Sequence, residues 1–135
     1  MRMQIVKISI LVTVVCLGCS CFLDLRPTLT RQDVIGVFVA NYDFGVEVLR
    51  FESNDRYTQV FLLGSDSTPF CYHGSWQLSD TYREIIWLDS FHGITNGFGE
   101  YNPQYQTPTT HSLSFISRNR IAINEDIGLE YNKID

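Results

Sequence analysis

The sequence predicts an all-β domain: an eight-stranded antiparallel meander, closed or nearly closed into a barrel, with one short helical turn ahead of the first strand. Three observations carry this. Beyond residue 30 no segment sustains a 3.6-residue apolar period. Short β-branched and aromatic runs recur instead, each bounded by turn-forming residues. Most of the connections have hairpin length, which makes sequential antiparallel pairing the simplest topology. Closure would remove the exposed edges that invite aggregation. A flattened barrel or a sandwich is the alternative.

The elements follow in order. Thr30-Arg31-Gln32-Asp33 has the Ser/Thr-x-x-Asp/Glu form of a helix-starting box, with Thr30 able to cap the amide of Asp33. Gly36 soon stops it, so a single turn is expected. The strand runs are Val37–Tyr42, Val46–Glu52, Tyr57–Leu63, Phe70–Leu78, Arg83–Leu88, His111–Ser117, Arg120–Asn124 and Leu129–Ile134. One connection breaks the rhythm. Asp89–Thr110 carries Gly93, Gly97, Gly99, Pro103 and Pro108 together with Phe91, Phe98, Tyr101 and Tyr105. Structureless loops longer than about 12–15 residues are uncommon in compact domains and often serve binding. Phe98 and Tyr101 are therefore candidate contact residues, either for a partner or for the barrel mouth. The plainer reading is a long hairpin that buries its own rings.

Alternation within strands assigns faces. Tyr57, Gln59 and Phe61 share one face, and Gly74, Trp76 and Leu78 share another. In Ile85-Ile86-Trp87-Leu88 both faces are apolar, and periodicity leaves the choice open. Phe38, Tyr57, Phe61, Trp76, Trp87 and Phe115 are available to fill the interior. An eight-stranded barrel is just wide enough to be filled by side chains or to hold one small ligand. Tyr57, Gln59, Phe61 and Trp76 are the candidate lining residues. Gln59 is the polar exception among them, and burial would oblige it to find hydrogen-bond partners in the protein, a water or a ligand.

The amino-terminal stretch speaks to location. Arg2 and Lys7 flank a charged start, the apolar run Ile8–Leu17 follows, and Gly18-Cys19-Ser20 comes next. That is the layout of a bacterial lipoprotein export signal, with residues 1–18 removed and Cys19 acylated. The apolar run is short of the roughly 20 residues that a membrane-spanning helix needs. Cys16 stands where such signals usually have Leu, so ordinary secretion and an uncleaved anchor remain as alternatives. Residues 19–29 then read as a tether, interrupted by Pro27, and residues 30–135 as the barrel domain.

Loss of residues 1–18 removes Arg2 and Lys7 from the 10 basic side chains and none of the 15 acidic ones, leaving a formal charge of −7. Such a surface repels phosphate, so nucleic acid is not an expected partner and membrane association should come from the lipid. A hydrophobic content of 44% with 13% aromatics excludes wholesale disorder. Cys21 and Cys71 remain after processing. Whether they pair is left open, because spacing does not show that their Cα atoms approach.

Gly36-Val37-Phe38, Asn54-Asp55-Arg56-Tyr57-Thr58-Gln59-Val60-Phe61, Gly74-Ser75-Trp76-Gln77-Leu78 and Ile85-Ile86-Trp87-Leu88 occur in an order that resembles small lipocalin-like (calycin-like) domains of bacterial envelope lipoproteins. The likeness covers about residues 36–90, and Asp126–Ile134 fits the last strand loosely. It implies a barrel fold; Ser20 after the acylated cysteine implies sorting to the outer membrane, facing the periplasm. Arg56 stands where those domains have a turn glycine, so that hairpin needs a longer loop. The paired-cysteine motif of the related copper-homeostasis lipoproteins is absent, and the resemblance transfers no ligand.

Chemical motifs are weak. His73, His92 and His111 are scattered; Cys71 and His73 share a strand face but lack further ligands nearby in sequence, so no metal site is assigned. No nucleophile elbow surrounds Ser65, Ser75 or Ser90. Glu47, Glu52, Glu84 and Asp89 lie near strand positions, where acidic side chains mostly point to solvent. Neither a catalytic residue nor a cofactor is assigned. The expectation is a lipid-anchored envelope lipoprotein that acts on a protein partner through its surface and long loop. The alternative is a small apolar or amphipathic ligand held within the barrel.

Overall fold

The computed structural model describes residues 29–64, 68–82, 84–96, 100–101, 107–124 and 128–135, and its eight strands close into one antiparallel barrel. A single helical turn, α1 (Arg31–Val34), precedes β1 (Gly36–Tyr42), β2 (Gly45–Phe51), β3 (Arg56–Leu63) and β4 (Phe70–Leu78). β5 (Ile85–Phe91), β6 (Thr109–Ser117), β7 (Arg120–Asn124) and β8 (Leu129–Lys133) complete the meander. Each strand pairs with its successor, and β8 returns to β1 through Phe38↔Lys133 and Val39↔Asn132.

The two-residue period fixes the core. Phe38 on β1, Leu49 and Phe51 on β2, and Tyr57 and Phe61 on β3 point inward and are all but fully buried. So are Trp76 on β4, Ile86 and Leu88 on β5, Leu113 on β6, Ile121 on β7 and Tyr131 on β8. The register settles the strand whose two faces are both apolar. Trp76 pairs with Leu88 and Gln77 with Trp87, so Leu88 must share Trp76's inner face and Trp87 must look out. Trp87 is 39% exposed, so it belongs to the surface and not, as composition suggested, to the interior. Phe115 does face inward, half-buried against the core.

Gly74 shows how tightly the interior closes. A Cβ there would lie 2.2 Å from the Asp89 carbonyl oxygen and 2.4 Å from the Tyr57 ring. The absent side chain lets the Tyr57 ring lie over β4, while the Tyr57 hydroxyl donates to the Asp89 carbonyl at 3.1 Å.

Two connections depart from expectation. The long one is shorter than the sequence suggests, because Asp89-Ser90-Phe91 and Thr109-Thr110 continue β5 and β6. The register shifts between Leu88 and Phe91, and Ser90 adopts φ 61°, the extra residue of a β-bulge. The bulge returns Phe91 to the core and pairs it with Thr109. Between β2 and β3, Asp55 at φ 65° supplies the left-handed residue that a glycine would otherwise provide. Asn54 Oδ1 accepts the Arg56 amide at 3.1 Å, and the Glu52 amide donates to the Arg56 carbonyl at 2.9 Å. The loop is thus longer than a two-residue turn, as Arg56 requires.

α1 stoppers one end of the barrel, called here the closed end. The helix-starting box is present, with the Asp33 carboxylate accepting the Thr30 amide at 2.9 Å and its hydroxyl at 2.7 Å. Those two bonds and a nearby Arg118 hold the Asp33 carboxyl below its usual range. Val34 and Leu29 reach the core. Arg31 lies 4.9 Å from the Trp76 ring centroid and hydrogen-bonds Asp55 and the Ser53 carbonyl. The Trp76 indole donates to the Glu52 carbonyl at 3.0 Å. Lys133 donates to the carbonyls of Asp33 and Ile35, at 3.1 and 2.7 Å, locking the turn to β8.

Two substitutions test this packing by urea unfolding. Trp76→Ala should lower stability by about 3–5 kcal/mol, the cost of emptying a core aromatic site. Gly74→Ala should lower it by about 1–3 kcal/mol through the clash with Tyr57 and Asp89. A near-zero change in either would contradict the packing described.

Candidate functional site

The sequence marks Tyr57, Gln59, Phe61 and Trp76 as lining residues, and the barrel does bring all four inside, at 1%, 0%, 1% and 2% exposure. They are packed among other side chains. Trp76 and Tyr57 both lie against Phe51, with ring centroids 5.8 and 6.1 Å away. Phe61 packs under the loop end, the end opposite α1.

Gln59 finds its partners in the protein. Its Nε2 donates to Glu47 Oε1 at 2.6 Å and to the His92 carbonyl at 2.8 Å, while its Oε1 accepts the His92 amide at 3.1 Å. The chain after β5 thus reaches across the barrel mouth and is pinned there by a side-chain amide on β3. His92 also stacks on Tyr72, with centroids 3.7 Å apart and planes 9° from parallel.

Glu47 is the residue that sequence reasoning missed. It is fully buried rather than directed to solvent. Besides Gln59, it receives the hydroxyls of Tyr42 at 2.9 Å and Tyr131 at 2.8 Å, both on Oε2. The signal for its direction lay in parity: Glu47 shares a face with Leu49 and Phe51, whereas Val46, Val48 and Arg50 share the other. Burial pushes the Glu47 carboxyl above its ordinary range despite three donors. Burial and the neighbouring carboxyl raise Tyr42 and Tyr131 as well. The Tyr57 hydroxyl shifts the same way. With three donors from β1, β3 and β8, this buried carboxyl is a structural cross-link of the barrel.

The remaining candidates are spread apart. Tyr101 folds back on the mouth: its ring lies 5.4 Å from Phe44 and 6.1 Å from Phe61, and Thr95 forms a bridge with it. Asn96 and Glu100 hydrogen-bond each other's backbone and side chains beside that bridge. Phe98, Cys19 and Cys21 lie outside the described residues. Cys71 is exposed on the outer face, with Sγ 3.8 Å from His73 Nε2. No three His, Cys, Asp or Glu side chains converge as metal ligands among the described residues. His111 stacks on Phe91 at 5.1 Å with its Nε2 buried and unpaired, and burial lowers its pKa.

A sizeable concavity lies elsewhere, at the closed end. An open groove of about 1010 Å³ runs along the outer side of β4 and β5 to the edge of α1. Trp87, Gln77, Asp89, Asp80 and Arg31 are among its walls.

Set against known proteins, the chain matches no family model, no curated protein and no solved structure. Function has to be argued from these sites.

The buried carboxyl predicts how stability varies with pH. Between the ordinary value of 4.5 and the raised one, the folded protein keeps a proton that the unfolded chain has released. Stability should be full below about pH 4.5, fall as pH rises toward the raised value, and level off beyond it. Glu47→Gln, which has no proton to lose, should flatten that fall. Urea unfolding of both proteins from about pH 4 to pH 8 measures the difference.

Proposed function

We propose that this protein is a lipid-anchored lipoprotein of the bacterial envelope, probing a protein partner with the loop end of a solid barrel. The observation that carries this reading is the filled interior. Among the described residues the buried Glu47 and Gln59 spend their hydrogen bonds on each other, Tyr42, Tyr131 and the His92 backbone, and His111 Nε2 alone is buried without a partner. The interior volume is taken up by aromatic and branched side chains buried to 2% exposure or less. A small apolar ligand inside the barrel would have to displace that core, so the interior reading is the weaker one.

Polarity of the barrel supports the same assignment. The tether joins at Leu29, beside the closed end, so an acyl group on Cys19 would moor that end. The ten residues from Cys19 to Thr28 span at most about 35 Å. The loop end, with Tyr101 and Phe44, would then face away from the bilayer. Charge follows the same axis. Among the described residues every lysine and arginine (Arg31, Arg50, Arg56, Arg118, Arg120, Lys133) lies at the closed end, where the acids Asp33, Glu52, Asp55, Asp80, Glu84 and Asp135 offset them. The loop end carries the exposed acids Asp43 and Glu100 without a base. An anionic membrane surface would repel that end and favour the upright orientation. The resemblance to lipocalin-like envelope lipoproteins agrees with this arrangement.

The anchor is tested by Cys19→Ala, which should move the protein from the membrane to the soluble fraction; unchanged partitioning refutes acylation there. The working end is tested by a photo-crosslinker at Tyr101 or at Asn132, introduced in cells. A discrete adduct from position 101 alone is expected, and equal labelling from both positions would refute a loop-end partner. Native mass spectrometry should find the barrel without a bound lipid.

A further inference from the structure

The groove at the closed end plays no part in that reading, and its chemistry is specific enough to identify a ligand class. We propose that it binds an uncharged oligosaccharide, with the indole of Trp87 as the stacking surface and Gln77, Asp89 and Ser75 as hydroxyl partners.

The register builds the site. Ser75 pairs with Asp89 and Gln77 with Trp87, so four outward side chains form a two-by-two patch on adjacent strands. Directly opposed residues have Cβ atoms about 5 Å apart, so the four groups form one continuous surface. All four line the groove, whose volume of about 1010 Å³ suits a ligand of more than one ring. Trp87 is held by the sheet yet remains 39% exposed, so little ordering entropy is lost when a ring stacks on it.

The unspent hydrogen bonds point the same way. Among the described residues, the side chains of Ser75, Gln77, Asp80 and Asp89 bond to no protein group. A carboxylate accepts from two hydroxyls, an amide both donates and accepts, and a serine hydroxyl does either. A pyranose has an apolar C–H face and a rim of hydroxyls, which is the complement of an indole edged by such groups. A lipid chain would leave the polar rim unsatisfied.

Charge narrows the class. Asp80 and Asp89 are exposed carboxylates. Arg31, the cation among the groove's described residues, is committed to Asp55, the Ser53 carbonyl and the Trp76 face. With its base neutralised and two acids free, the groove disfavours phosphorylated, sulfated or uronic sugars. The inference does not depend on the lipid anchor or on a loop-end partner, and soluble protein beginning at Ser20 is sufficient to test it.

The test is titration with chitotriose, maltotriose and trigalacturonate, followed by tryptophan fluorescence and amide chemical shifts. At least one neutral trisaccharide should bind with Kd of about 0.1–1 mM, shifting the emission and the amides of Ser75, Gln77, Trp87 and Asp89. Trigalacturonate should give no response. Trp87→Ala should weaken binding at least about tenfold while circular dichroism and Tm stay near wild type. Gln77→Ala, at an exposed position, provides the same comparison if Trp87→Ala perturbs the fold. The proposal is overturned if neither neutral sugar shifts those amides, or if binding survives both substitutions. It is likewise overturned if trigalacturonate or a hexalysine peptide binds as well as the neutral sugars.

Discussion

A single buried carboxyl group holds the loop end of this barrel together. Glu47 sits on β2 and gathers Gln59 from β3, Tyr42 from β1 and Tyr131 from β8, while Gln59 captures the backbone of His92 beyond β5. Four strands and the longest connection therefore meet at one group. The seam between β1 and β8 needs such help, since only Phe38↔Lys133 and Val39↔Asn132 pair across it. A buried carboxyl is costly unless its hydrogen bonds are complete, and losing one partner strands the others in a low-dielectric interior. The network is consequently all or nothing. It specifies one closure of the sheet, because any slip of β1 against β8 by one residue would turn Tyr131 out and leave Glu47 short of a donor.

The closed end solves the same problem with cations. Arg31 and Lys133 each cover an aromatic face, Trp76 and Phe38 respectively, and each also satisfies backbone carbonyls. Their stems and charges close the barrel where α1 is too short to do so alone. An isolated helical turn is unstable in water, so its geometry here is set by contact. Val37 and Ile134 extend the seam as well: the Ile134 amide donates to the Val37 carbonyl at 2.9 Å and Asp135 accepts the Val37 amide at 2.8 Å.

The strands were legible because a half-buried sheet imprints a period of two on the sequence, and most of the strands keep it between their bulges. Gln59 was legible for the same reason, as a polar residue in phase with Tyr57 and Phe61. Two things were not. Trp87 sits in a run apolar on both faces, so only the register with β4 could assign it. Glu47 is a carboxyl, and the general expectation that acids face solvent outweighed its phase with Leu49 and Phe51. What rescues it is a set of donors from Tyr42 and Tyr131, of which one is 84 positions away in sequence. Local pattern carries no trace of such a partner. The Ser90 bulge was hidden too, since its cause is the need to return Phe91 to the core rather than any turn residue.

Filling of the interior has a consequence for where chemistry can occur. An enclosed site needs polar groups with capacity to spare, and here Glu47 and Gln59 have been consumed in building the fold, which leaves the His111 Nε2 as the one unpaired buried polar atom among the described residues. Among the described residues the rest of the unspent capacity lies on the outside, and it is unevenly distributed. The loop end offers rings and acids around Tyr101, with Phe44 and Tyr42 stacked beneath at 5.0 Å. The groove beside α1 offers one indole among neutral and acidic hydrogen-bonding groups. The two surfaces differ in rigidity: the groove is set in paired strands, whereas the loop-end rings stand on connections that the Glu47 network must first pin. A protein partner can adapt to the second kind of surface, but a small polyhydroxylated ligand, with little area to offset ordering costs, requires the first.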